Sequence, residues 1–403
     1  MKKRIRIILI LLIIACLALG FILIFKNSRI ISNTENIDST YEYAKDYKEK
    51  EIDFHYQRII PNKEEKINYE VIGSIDNKPG TYEIKYVAKY DNLEKVVIEK
   101  VTILKEYVDK IAPTLNIEGG EIYTVYVGEE YIEPGFTAID DIDGDISDRV
   151  IVNSNVDINK HGKYEVEYNV KDAAGNETSK TRKVLVREKQ HNTDSGKIVY
   201  LTFDDGPSAY TEGLLDLLDK YDIKATFFVT CIDPNHINMI EEEYLRGHTV
   251  AVHTYSHDYG DVYASEEAFY NDQNKMIDVI YEYTGTRPNI FRFPGGSSNS
   301  VSKSSSPGLM SKLVNSSKEK GLKYFDWNVS SGDGNRSNSP SFIYNYATEN
   351  LAYYDNAMLL QHDANPNSMK AMENIIIWCI NNGYAFNAID DSTKEVHHGH
   401  LNN

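Results

Sequence analysis

Cysteine is scarce in this chain, which has three cysteines, Cys16, Cys231 and Cys379, among 403 residues. Three cysteines are too few for a disulfide scaffold, so the class of small, disulfide-stapled secreted domains is excluded. Cys16 lies in an apolar run. The other two, Cys231 and Cys379, could form one disulfide or remain as two buried thiols. The fold must therefore depend on packed cores, for which the hydrophobic content of 41% is sufficient.

Basic residues are also few in relation to acidic ones, with 43 Lys and Arg against 61 Asp and Glu and a net charge of -18. A nucleic-acid partner requires a basic surface, so we expect none. The chain is too long for one ordinary domain, and several domains are expected. Thirty tyrosines suit β-rich modules and surfaces that face carbohydrate.

The first residues join a basic end to a long apolar run. Four basic residues within Met1–Arg6 precede Ile7–Phe25, which contains no charged residue. A run of this length can span a bilayer with its basic end in the cytoplasm. We therefore expect a transmembrane helix over residues 1–26 and an extracytoplasmic location for the rest. A cleaved signal peptide is the alternative, and lipidation at Cys16 is disfavoured because the apolar run continues past it.

Two β-rich segments follow a polar stretch over residues 27–50, which we interpret as a stalk. Gly80-Thr-Tyr-Glu-Ile-Lys-Tyr-Val and Gly162-Lys-Tyr-Glu-Val-Glu-Tyr share one alternating pattern behind a turn glycine. Alternation of this kind indicates half-buried strands. The pattern predicts two small all-β modules, over residues 51–108 and 109–188, and then a polar linker at 189–197.

The second of these modules resembles the immunoglobulin-like repeats of bacterial surface proteins, and the first resembles them only in its last strands. The resemblance rests on Ala112-Pro-Thr, Tyr131-Ile-Glu-Pro-Gly135-Phe, Asp143-Gly-Asp145-Ile and Asp172-Ala-Ala-Gly-Asn176. It implies an Ig-like β-sandwich for the second module, and a similar one for the first.

An acidic run, Asp140–Asp148, lies in the second module. An EF-hand loop counted from Asp141 would require glycine where Ile146 stands and glutamate where Val152 stands, so this motif is absent. A solvated turn is expected here, with a looser form of calcium binding left open.

From Ile198 onward, strand-like runs alternate with segments of helical periodicity. The runs are Val199–Phe203, Ala225–Thr230, His248–His253, Asn289–Phe293, Leu322–Val329, Ala357–Gln361 and Ala385–Ile389. This alternation predicts a parallel sheet, and about seven βα units predict a distorted (β/α) barrel over residues 198–392. Function in such barrels lies where the strands end.

Thr202–Pro207, reading TFDDGP, places two carboxylates at the end of the first of these strands. Side chains alternate along a strand, so Asp204 and Asp205 must face different ways and can have different roles, such as proton acceptor and metal ligand. An Asx turn with a helix cap is the alternative for an isolated DDG sequence.

Two imidazoles, His253 and His257, follow the third strand in the sequence HTYSH. Four-residue spacing on a helical turn puts both on one face, the usual geometry for two ligands of one metal. With Asp205 they would form a three-ligand site that leaves coordination positions open for water and substrate. Unrelated surface histidines are the alternative when this spacing stands alone.

Three further motifs end later strands: Arg292-Phe-Pro-Gly-Gly296, Asp326-Trp327 and Leu360-Gln-His362-Asp363. Arginine is a permanent cation that can orient a carboxylate, and glycines let a ligand approach backbone amides. His362 would add another imidazole at the ends of the strands. The alternative is a buried core histidine whose ring nitrogens are hydrogen-bonded within the core.

These five motifs, in this order over roughly residues 197–391, resemble those of the polysaccharide deacetylase family of carbohydrate esterases. The resemblance implies that Asp205, His253 and His257 bind a divalent metal, zinc by preference and otherwise cobalt or a similar ion. It implies that Asp204 is the general base and that Arg292 orients it.

The same resemblance implies that His362 is the general acid, with Asp326 paired to it to keep it protonated. A backbone amide near Gly295 would face the oxyanion, and Trp327 and Leu360 would line the slot for the acetyl methyl group. The family often has another aspartate where Lys323 stands, a difference that concerns substrate contacts. Residues 393–403 contain His397-His398-Gly-His400 and are expected to form a terminus outside the site.

The sequence therefore predicts a multidomain protein in which a transmembrane helix and two all-β Ig-like modules precede a distorted (β/α) barrel with catalytic function. The implied activity is metal-dependent removal of N-acetyl groups from N-acetylglucosamine in a cell-wall glycan, with peptidoglycan preferred. Another glycan (exported poly-N-acetylglucosamine, chitin or xylan) and a non-catalytic glycan-binding protein are the alternatives. We expect a monomeric ectodomain, anchored in the cell membrane, that faces the wall.

Overall fold

The computed structural model describes residues 10–19, 28–58, 63–194 and 196–402. These residues form two compact units. The first contains the described residues up to Pro113 together with 140–144 and 171–176, and the second contains 114–139, 145–170 and the chain from Glu177 onward.

Only part of the predicted membrane segment can be compared with the structure. Residues 10–19 are helical and exposed. Among the residues that the structure describes, no helix has both the length and the apolar character needed to cross a membrane. The rest of the predicted segment, residues 1–9 and 20–26, lies outside the described residues.

The first unit contains a β-sandwich of two sheets, with strand orders β1-β3-β4 and β2-β7-β6-β5. The strands are β1 (Ser28–Ser32), β2 (Ile37–Tyr41), β3 (Phe54–Arg58), β4 (Lys63–Ile67), β5 (Tyr69–Ile72), β6 (Gly80–Tyr90) and β7 (Leu93–Ile103). Phe54 and Tyr56 of the first sheet pack with Tyr86 and Val101 of the second in one apolar core. The alternation seen in the sequence is thus the alternation between this core and solvent.

The stalk prediction for residues 27–50 was wrong, because β1 and β2 lie within that range. The strand β2 pairs in parallel with β7, with Ile37 opposite Glu99. The hydroxyl of Ser39 also donates to the buried carboxylate of Glu99. A polar segment is therefore ordered by a partner strand far away in sequence, which local composition does not indicate.

A second β-sandwich begins the second unit. Its strands are β8 (Thr114–Ile117), β9 (Ile122–Tyr126), β10 (Phe136–Asp140), β11 (Gly144–Asp145), β12 (Ile151–Ser154), β13 (Gly162–Lys171) and β14 (Glu177–Arg187). Leu115, Val125 and Tyr168 belong to its core. The guanidinium of Arg182 is fully buried and donates to Glu133 Oε1 at 2.8 Å, so this buried charge has an ionic partner.

The remainder of the second unit alternates strands and helices, as predicted. The strands are β15 (Lys197–Asp204), β16 (Thr226–Val229), β17 (Thr249–Val252), β18 (Ile290–Phe291), β19 (Lys323–Tyr324), β20 (Val329–Ser330), β21 (Asn356–His362) and β22 (Tyr384–Asn387). The helices are α1 (Thr211–Lys220), α2 (Met239–Leu245), α3 (Tyr259–Val262), α4 (Glu266–Thr284), α5 (Val301–Ser305), α6 (Leu309–Glu319), α7 (Pro340–Leu351) and α8 (Pro366–Asn381).

These strands form one curled parallel sheet in the order β19-β18-β17-β16-β15-β21-β20, and β22 pairs with β15. Its two edge strands, β19 and β20, are consecutive in the chain, and residues 325–328 connect them. The predicted single strand Leu322–Val329 is therefore two short strands on opposite edges. The segment between them spans the seam of a distorted barrel.

Side-chain alternation along the strands separates the interior of this barrel from its helical layer. In β15, Val199, Leu201 and Phe203 belong to the large core shared with the helices. Tyr200 packs in a smaller cluster that includes Phe228 and Met358. Asp204 shares the parity of Tyr200, so the strand brings its carboxylate to the interior side of the sheet.

Candidate active site

The carboxylates of Asp204 and Asp205 differ in burial and backbone conformation. Asp204, the last residue of β15, is only 3% exposed, whereas Asp205 is half-buried and has a φ of +71°. A positive φ is uncommon for a non-glycine residue and fixes a direction that continued strand geometry would not give. The two carboxylates therefore take separate positions at the barrel mouth, but the turn conformation of Asp205, and not strand alternation, sets its direction.

The turn after these aspartates fits closely against the segment that follows β21. A Cβ added at Gly206 would lie 2.3 Å from Asp363 Oδ2, so only glycine fits there. Thr211 donates its hydroxyl to the same Oδ2 at 2.6 Å. Burial raises the pKa of Asp363 to about 7, although this hydrogen bond by itself would lower it.

Arg292 is completely buried and holds the base candidate in place. Its Nη1 donates to Asp204 Oδ1 at 2.8 Å and to Thr202 Oγ1 at 2.8 Å. Its Nε and Nη2 donate to the carbonyls of Phe325 and Asp326 at 2.8 and 3.0 Å. A guanidinium fixed at four points leaves Asp204 Oδ2 as the carboxylate oxygen not bound by arginine.

The predicted metal ligands lie together at the barrel mouth. Ligand atoms of Asp205, His253 and His257 fall within 4.8 Å of one another. Nε2 of His253 and of His257 lie 3.5 and 3.2 Å from Asp205 Oδ1. That oxygen is buried and has no hydrogen-bond partner among the described residues. Two imidazoles around an unsatisfied carboxylate oxygen form a donor set that fits a divalent cation with open coordination positions.

Hydrogen bonds behind the histidines set their orientation. His253 Nδ1 lies 2.9 Å from the Arg292 carbonyl, which assigns the proton to Nδ1 and directs the lone pair of Nε2 to the cluster. Burial and the neighbouring His253 lower the pKa of His257, which keeps that imidazole neutral, as a metal ligand must be. His257 has a φ of +51°, so the backbone is strained at two of the three ligands.

Asp272, a residue that we did not predict from the sequence, holds the loop between the two histidines. Its carboxylate accepts from the amide of Tyr255 at 2.7 Å and from the amide and hydroxyl of Ser256 at 3.1 and 2.7 Å. The Thr254 hydroxyl donates to it as well. Asp272 lies in α4, so a helix positions the loop that carries the two imidazoles.

The acid candidate, His362, lies at the end of β21 and pairs with Asp333. The Nδ1 of His362 is 2.9 Å from Asp333 Oδ1, and its backbone amide donates to Asp333 Oδ2 at 2.7 Å. Burial alone would lower the pKa of His362. The hydrogen bond and charge of Asp333, with smaller contributions from Asp205 and Asp204, outweigh burial and raise this pKa to about 9.

The prediction that Asp326 pairs with His362 was wrong. Asp326 Oδ1 accepts from the amide of Ser297 at 2.8 Å, and its Oδ2 accepts from the Ser297 hydroxyl at 2.5 Å. Asp326 lies within the segment that crosses the seam, whereas Asp333 follows β20, which pairs with β21, and it is Asp333 that contacts His362. The clue in the sequence was a second acid after the next strand, in Ser330-Ser-Gly-Asp333.

The C-terminal segment, predicted to lie outside the site, is bound to its rim. The amide of Asp326 donates to the Val396 carbonyl at 2.8 Å, and the His398 amide donates to Asp326 Oδ2 at 2.8 Å. The His398 ring contacts Trp327 edge to face, with ring centroids 4.6 Å apart. This segment therefore covers the seam where β19 and β20 do not pair.

The residues predicted to line the acetyl slot differ in exposure. Trp327 is half-buried, and Leu360 of β21 is only 8% exposed. Gly295 is exposed with a φ of +72°. A Cβ at Gly296 would lie 2.7 Å from His398 Cε1 and 3.0 Å from Trp327 Cη2, so its glycine allows the close approach of the C-terminal segment.

The barrel and this arrangement of acids and imidazoles define the class of metal-assisted hydrolases. Comparison with known proteins narrows the class. A family model described as polysaccharide deacetylase matches residues 191–307, and one described as bacterial surface protein, Ig-like domain, matches residues 115–186.

Individual relatives agree with the family models. The chain is 31% identical to the peptidoglycan-N-acetylglucosamine deacetylase of Bacillus cereus, over 50% of this chain and 72% of that protein. It is 29% identical to the peptidoglycan-N-acetylglucosamine deacetylase of Listeria monocytogenes, over 49% of this chain and 39% of that protein.

A solved structure, the catalytic domain of a peptidoglycan N-acetylglucosamine deacetylase from Eubacterium rectale, is 48% identical. The match covers 53% of this chain and 97% of that domain, with a TM-score of 0.51. The chain belongs to the polysaccharide deacetylase family, and it carries a bacterial Ig-like domain before the barrel. The family predicted from the five motifs is confirmed.

Proposed function

We propose that this protein is an enzyme that hydrolyses the N-acetyl group of N-acetylglucosamine residues in a cell-wall glycan, with peptidoglycan as the preferred substrate, and releases acetate. The observation that carries the proposal is the meeting of three groups at one barrel mouth: the Asp204–Arg292 pair, the Asp205–His253–His257 cluster and the His362–Asp333 pair. The relatives reported above, which are named as deacetylases of this sugar, support it.

Asp205, His253 and His257 would hold the divalent cation. We propose zinc, with cobalt or a similar ion as the alternative, because one carboxylate and two imidazoles are suitable ligands for these metals. When bound, the cation supplies Lewis acidity for the attacking water and the acetyl carbonyl.

Asp204 takes the proton of the attacking water. Its Oδ1 is bound by Arg292 at 2.8 Å, so Oδ2 is the acceptor. Oδ2 lies 3.8 Å from His253 Nε2, and this distance supports a base that acts on water beside the cation. Arg292 fixes the position of this carboxylate, so little reorganisation accompanies proton transfer.

His362 gives its Nε2 proton to the departing sugar amine. That atom lies 4.0 Å from Asp205 Oδ2, on the mouth side of the ring, whereas Nδ1 is held by Asp333. With its pKa raised to about 9, the imidazole is protonated at neutral pH, as a general acid must be.

The acetyl group occupies the slot between Trp327 and Leu360, with a backbone amide near Gly295 facing the oxyanion. A backbone amide directed at developing negative charge stabilises it without prior rearrangement. The support for this placement is that Leu360 lies two residues before His362 in β21, and that the guanidinium of Arg292 lies 5.7 Å from the Trp327 ring centroid. Asp326, through Ser297, also fixes the chain after the two glycines.

Acetate release tests the function. The full chain, solubilised in detergent, is incubated with purified peptidoglycan, a chitin oligomer and acetylated xylan, with and without chelator and added zinc. We expect release from peptidoglycan that the chelator abolishes and zinc restores. We also expect a loss of about 10²- to 10⁴-fold in Asp204→Asn, because the general base is removed.

Each other outcome of this experiment has a defined meaning. Release only from chitin or xylan would keep the chemistry and reject the wall glycan as substrate. Binding of glycan without acetate release from any substrate would reject the enzyme in favour of a glycan-binding protein. Release that is unaffected by the chelator would reject the metal.

We further propose that the chain is anchored by its apolar run, Ile7–Phe25, with the basic end in the cytoplasm and the Ig-like modules holding a monomeric barrel toward the wall. The support is the absence of charged residues from this run and the four basic residues before it. Fractionation of cells tests this: the full chain should stay with membranes in high salt, and a chain beginning at residue 27 should not. Recovery of both forms in the soluble fraction would contradict the anchor.

A further inference from the structure

A second acidic cluster lies outside the catalytic barrel, within the first unit. Ligand oxygens of Asp109, Asp140 and Asp141 fall within 4.8 Å of one another. Asp140 ends β10, Asp141 follows it, and Asp109 lies in the chain that leaves β7. Like charges this close repel one another unless a cation lies between them.

The side chain of Asp140 is an independent indication of a ligand. It is only 4% exposed. Its Oδ1 accepts from the amides of Ile142 and Asp143 at 2.9 and 2.8 Å. Its Oδ2 is buried and has no hydrogen-bond partner among the described residues. A buried carboxylate oxygen without a donor is unfavourable, and a bound cation removes that cost.

The surrounding backbone is already organised in three segments of the first unit. Asp109 Oδ1 accepts from the Ile111 amide at 3.0 Å, and the Ile111 carbonyl accepts from Asn176 Nδ2 at 3.2 Å. The Ala173 amide donates to Asp143 Oδ2 at 2.8 Å. These bonds bring residues 109–111 and the loops 140–144 and 171–176 to one place without satisfying Asp140 Oδ2.

The cation Lys45 lies near this cluster. The charge of Lys45 interacts with Asp141, while its Nζ lies 3.6 Å above the Tyr107 ring. This lysine is associated with the exposed member of the cluster, Asp141. The buried member, Asp140, keeps its unsatisfied oxygen in the presence of that lysine.

We propose that Asp109, Asp140 and Asp141 bind a calcium ion. The donors are all oxygens, which suit a hard cation and not zinc, whose sites in proteins are rich in nitrogen and sulfur. Ca²⁺ takes six to eight oxygen ligands with flexible geometry, so backbone carbonyls and water complete its shell, whereas Mg²⁺ demands a regular octahedron. The ion would fasten residues 109–111 to the loops 140–144 and 171–176.

The sequence could not identify this site because its ligands are not contiguous. The acidic run supplies two of them, and the third comes from 31 residues before Asp140, as the numbering 140 − 109 shows. The EF-hand template therefore fails even though the acidic run contributes to the site.

Calorimetric titration of calcium chloride into the full chain in detergent tests the proposal. Variants are Asp140→Asn with Asp141→Asn, the exposed Asp148→Asn as a charge-matched control, and Asp205→Asn to remove a ligand of the barrel cluster. The double variant keeps an oxygen at residue 140 for the amides of Ile142 and Asp143, so its fold should be retained.

We expect one calcium ion bound with a Kd of about 10⁻⁴–10⁻³ M, the range of extracellular modules. The double variant should bind at least about tenfold more weakly, since the charge and number of oxygen ligands set calcium affinity. Asp148→Asn and Asp205→Asn should bind as the parent does. In thermal unfolding, calcium should raise the midpoint of the parent and not that of the double variant, whose midpoint without calcium should equal or exceed the parent's.

Three results would overturn the proposal. If calcium binding survived in the double variant, the ion would bind elsewhere. If calcium binding were lost in Asp205→Asn, the ion would belong to the barrel cluster. If Asp148→Asn weakened calcium binding as much as the double variant does, calcium would be bound only by the overall negative charge of the surface.

Discussion

Asp333 holds His362 at two points, with Oδ1 2.9 Å from the ring Nδ1 and Oδ2 accepting from the backbone amide at 2.7 Å. One carboxylate thus fixes both the end of β21 and the rotation of the imidazole. Asp333 is itself only 1% exposed, so water does not compete for these bonds.

The first prediction concerns this pair. Asparagine at position 333 keeps an acceptor but removes the charge that raises the pKa of His362. A general acid acts in its protonated form, so activity falls as pH rises through its pKa. In Asp333→Asn, the alkaline limb of the kcat/KM profile should therefore move to lower pH, and kcat at neutral pH should fall roughly 10- to 100-fold.

The control is Asp326→Asn, which removes an equal charge from the residue first expected to pair with His362. It should leave the position of the alkaline limb unchanged, although it weakens activity by loosening the rim. A shift of the limb in Asp326→Asn but not in Asp333→Asn would contradict the assignment of Asp333.

The second prediction concerns the buried arginine. Lysine at position 292 keeps the charge but cannot reach Asp204, Thr202 and the two backbone carbonyls at once. We expect acetate release to fall by about 10²-fold in Arg292→Lys, because the base is no longer fixed. The unfolding midpoint should also fall, because buried donors and acceptors lose their partners.

An exposed arginine on the same barrel provides the matched control. Arg287 pairs with Asp278 on the surface at 2.8 Å, so Arg287→Lys should change neither activity nor stability measurably. Full activity in Arg292→Lys would show that a cation near Asp204 is sufficient and that its orientation is unimportant.

The third prediction concerns the C-terminal segment. The His398 ring contacts Trp327, and its Nδ1 is 2.8 Å from the Ser298 hydroxyl. An aromatic pair contributes about 0.5–1.5 kcal/mol, so His398→Ala should lower kcat/KM by roughly 2- to 10-fold. The loss should appear mainly in KM, because His398 supports the slot wall and not the acid or the base.

His400 in the same segment is exposed, and His400→Ala is the matched control. It should behave as the parent. Equal kinetics for the His398 and His400 variants, measured with a glycan oligomer, would show that the ring does not support the substrate slot.

The fourth prediction is a stability effect at a buried acid that has no part in the proposed reaction. Glu243 in α2 is fully buried, and neither carboxylate oxygen has a hydrogen-bond partner among the described residues. Burial, with a smaller contribution from Asp363, raises its pKa well above the ordinary value of 4.5. Above pH 4.5, the folded protein therefore keeps a proton on Glu243 that the unfolded chain releases. The free energy of unfolding falls as the pH rises from this ordinary value to the pKa of Glu243 in the folded protein.

Glutamine at position 243 is neutral at every pH and lacks this dependence. The unfolding midpoint of Glu243→Gln should approach that of the parent at acidic pH and exceed it increasingly toward alkaline pH. The underlying difference in the free energy of unfolding should grow by at most about 1.4 kcal/mol for each pH unit of the window. The exposed Glu349→Gln is the control and should show no such trend. A midpoint difference that stays constant with pH would mean that Glu243 is ionised in the folded protein.

The sequence predicted the features that repeat locally. The apolar runs that became β15, β16, β17 and β21 were recognisable, because buried parallel strands are continuous stretches of apolar residues. Asp204 and Asp205 could be identified because they follow an apolar run at a strand end. The helical turn expected for His253 and His257 was wrong, because residues 253–257 form a loop, although the two imidazoles do meet there.

Features that depend on distant partners could not be predicted in this way. Leu322–Val329 has the composition of one strand, and only the closing of the barrel splits it between two edges. The partner of His362 was assigned to Asp326 because Asp326-Trp327 resembles a family motif, whereas the seam crossing decides which acid reaches β21. The ordering of residues 28–41 and of residues 396–398 likewise requires strands and carboxylates that are remote in sequence.

The bound C-terminal segment also has a practical consequence. Because Asp326 holds Val396 and His398 at the rim, and the side chain of Asn402 donates to the Ser298 carbonyl, this segment lies beside the cleft. A carbohydrate-binding domain or a fluorescent label joined there would be tethered near the substrate, and a bulky purification tag at the same position would obstruct it. Fusion partners for this enzyme should be chosen with that geometry in mind.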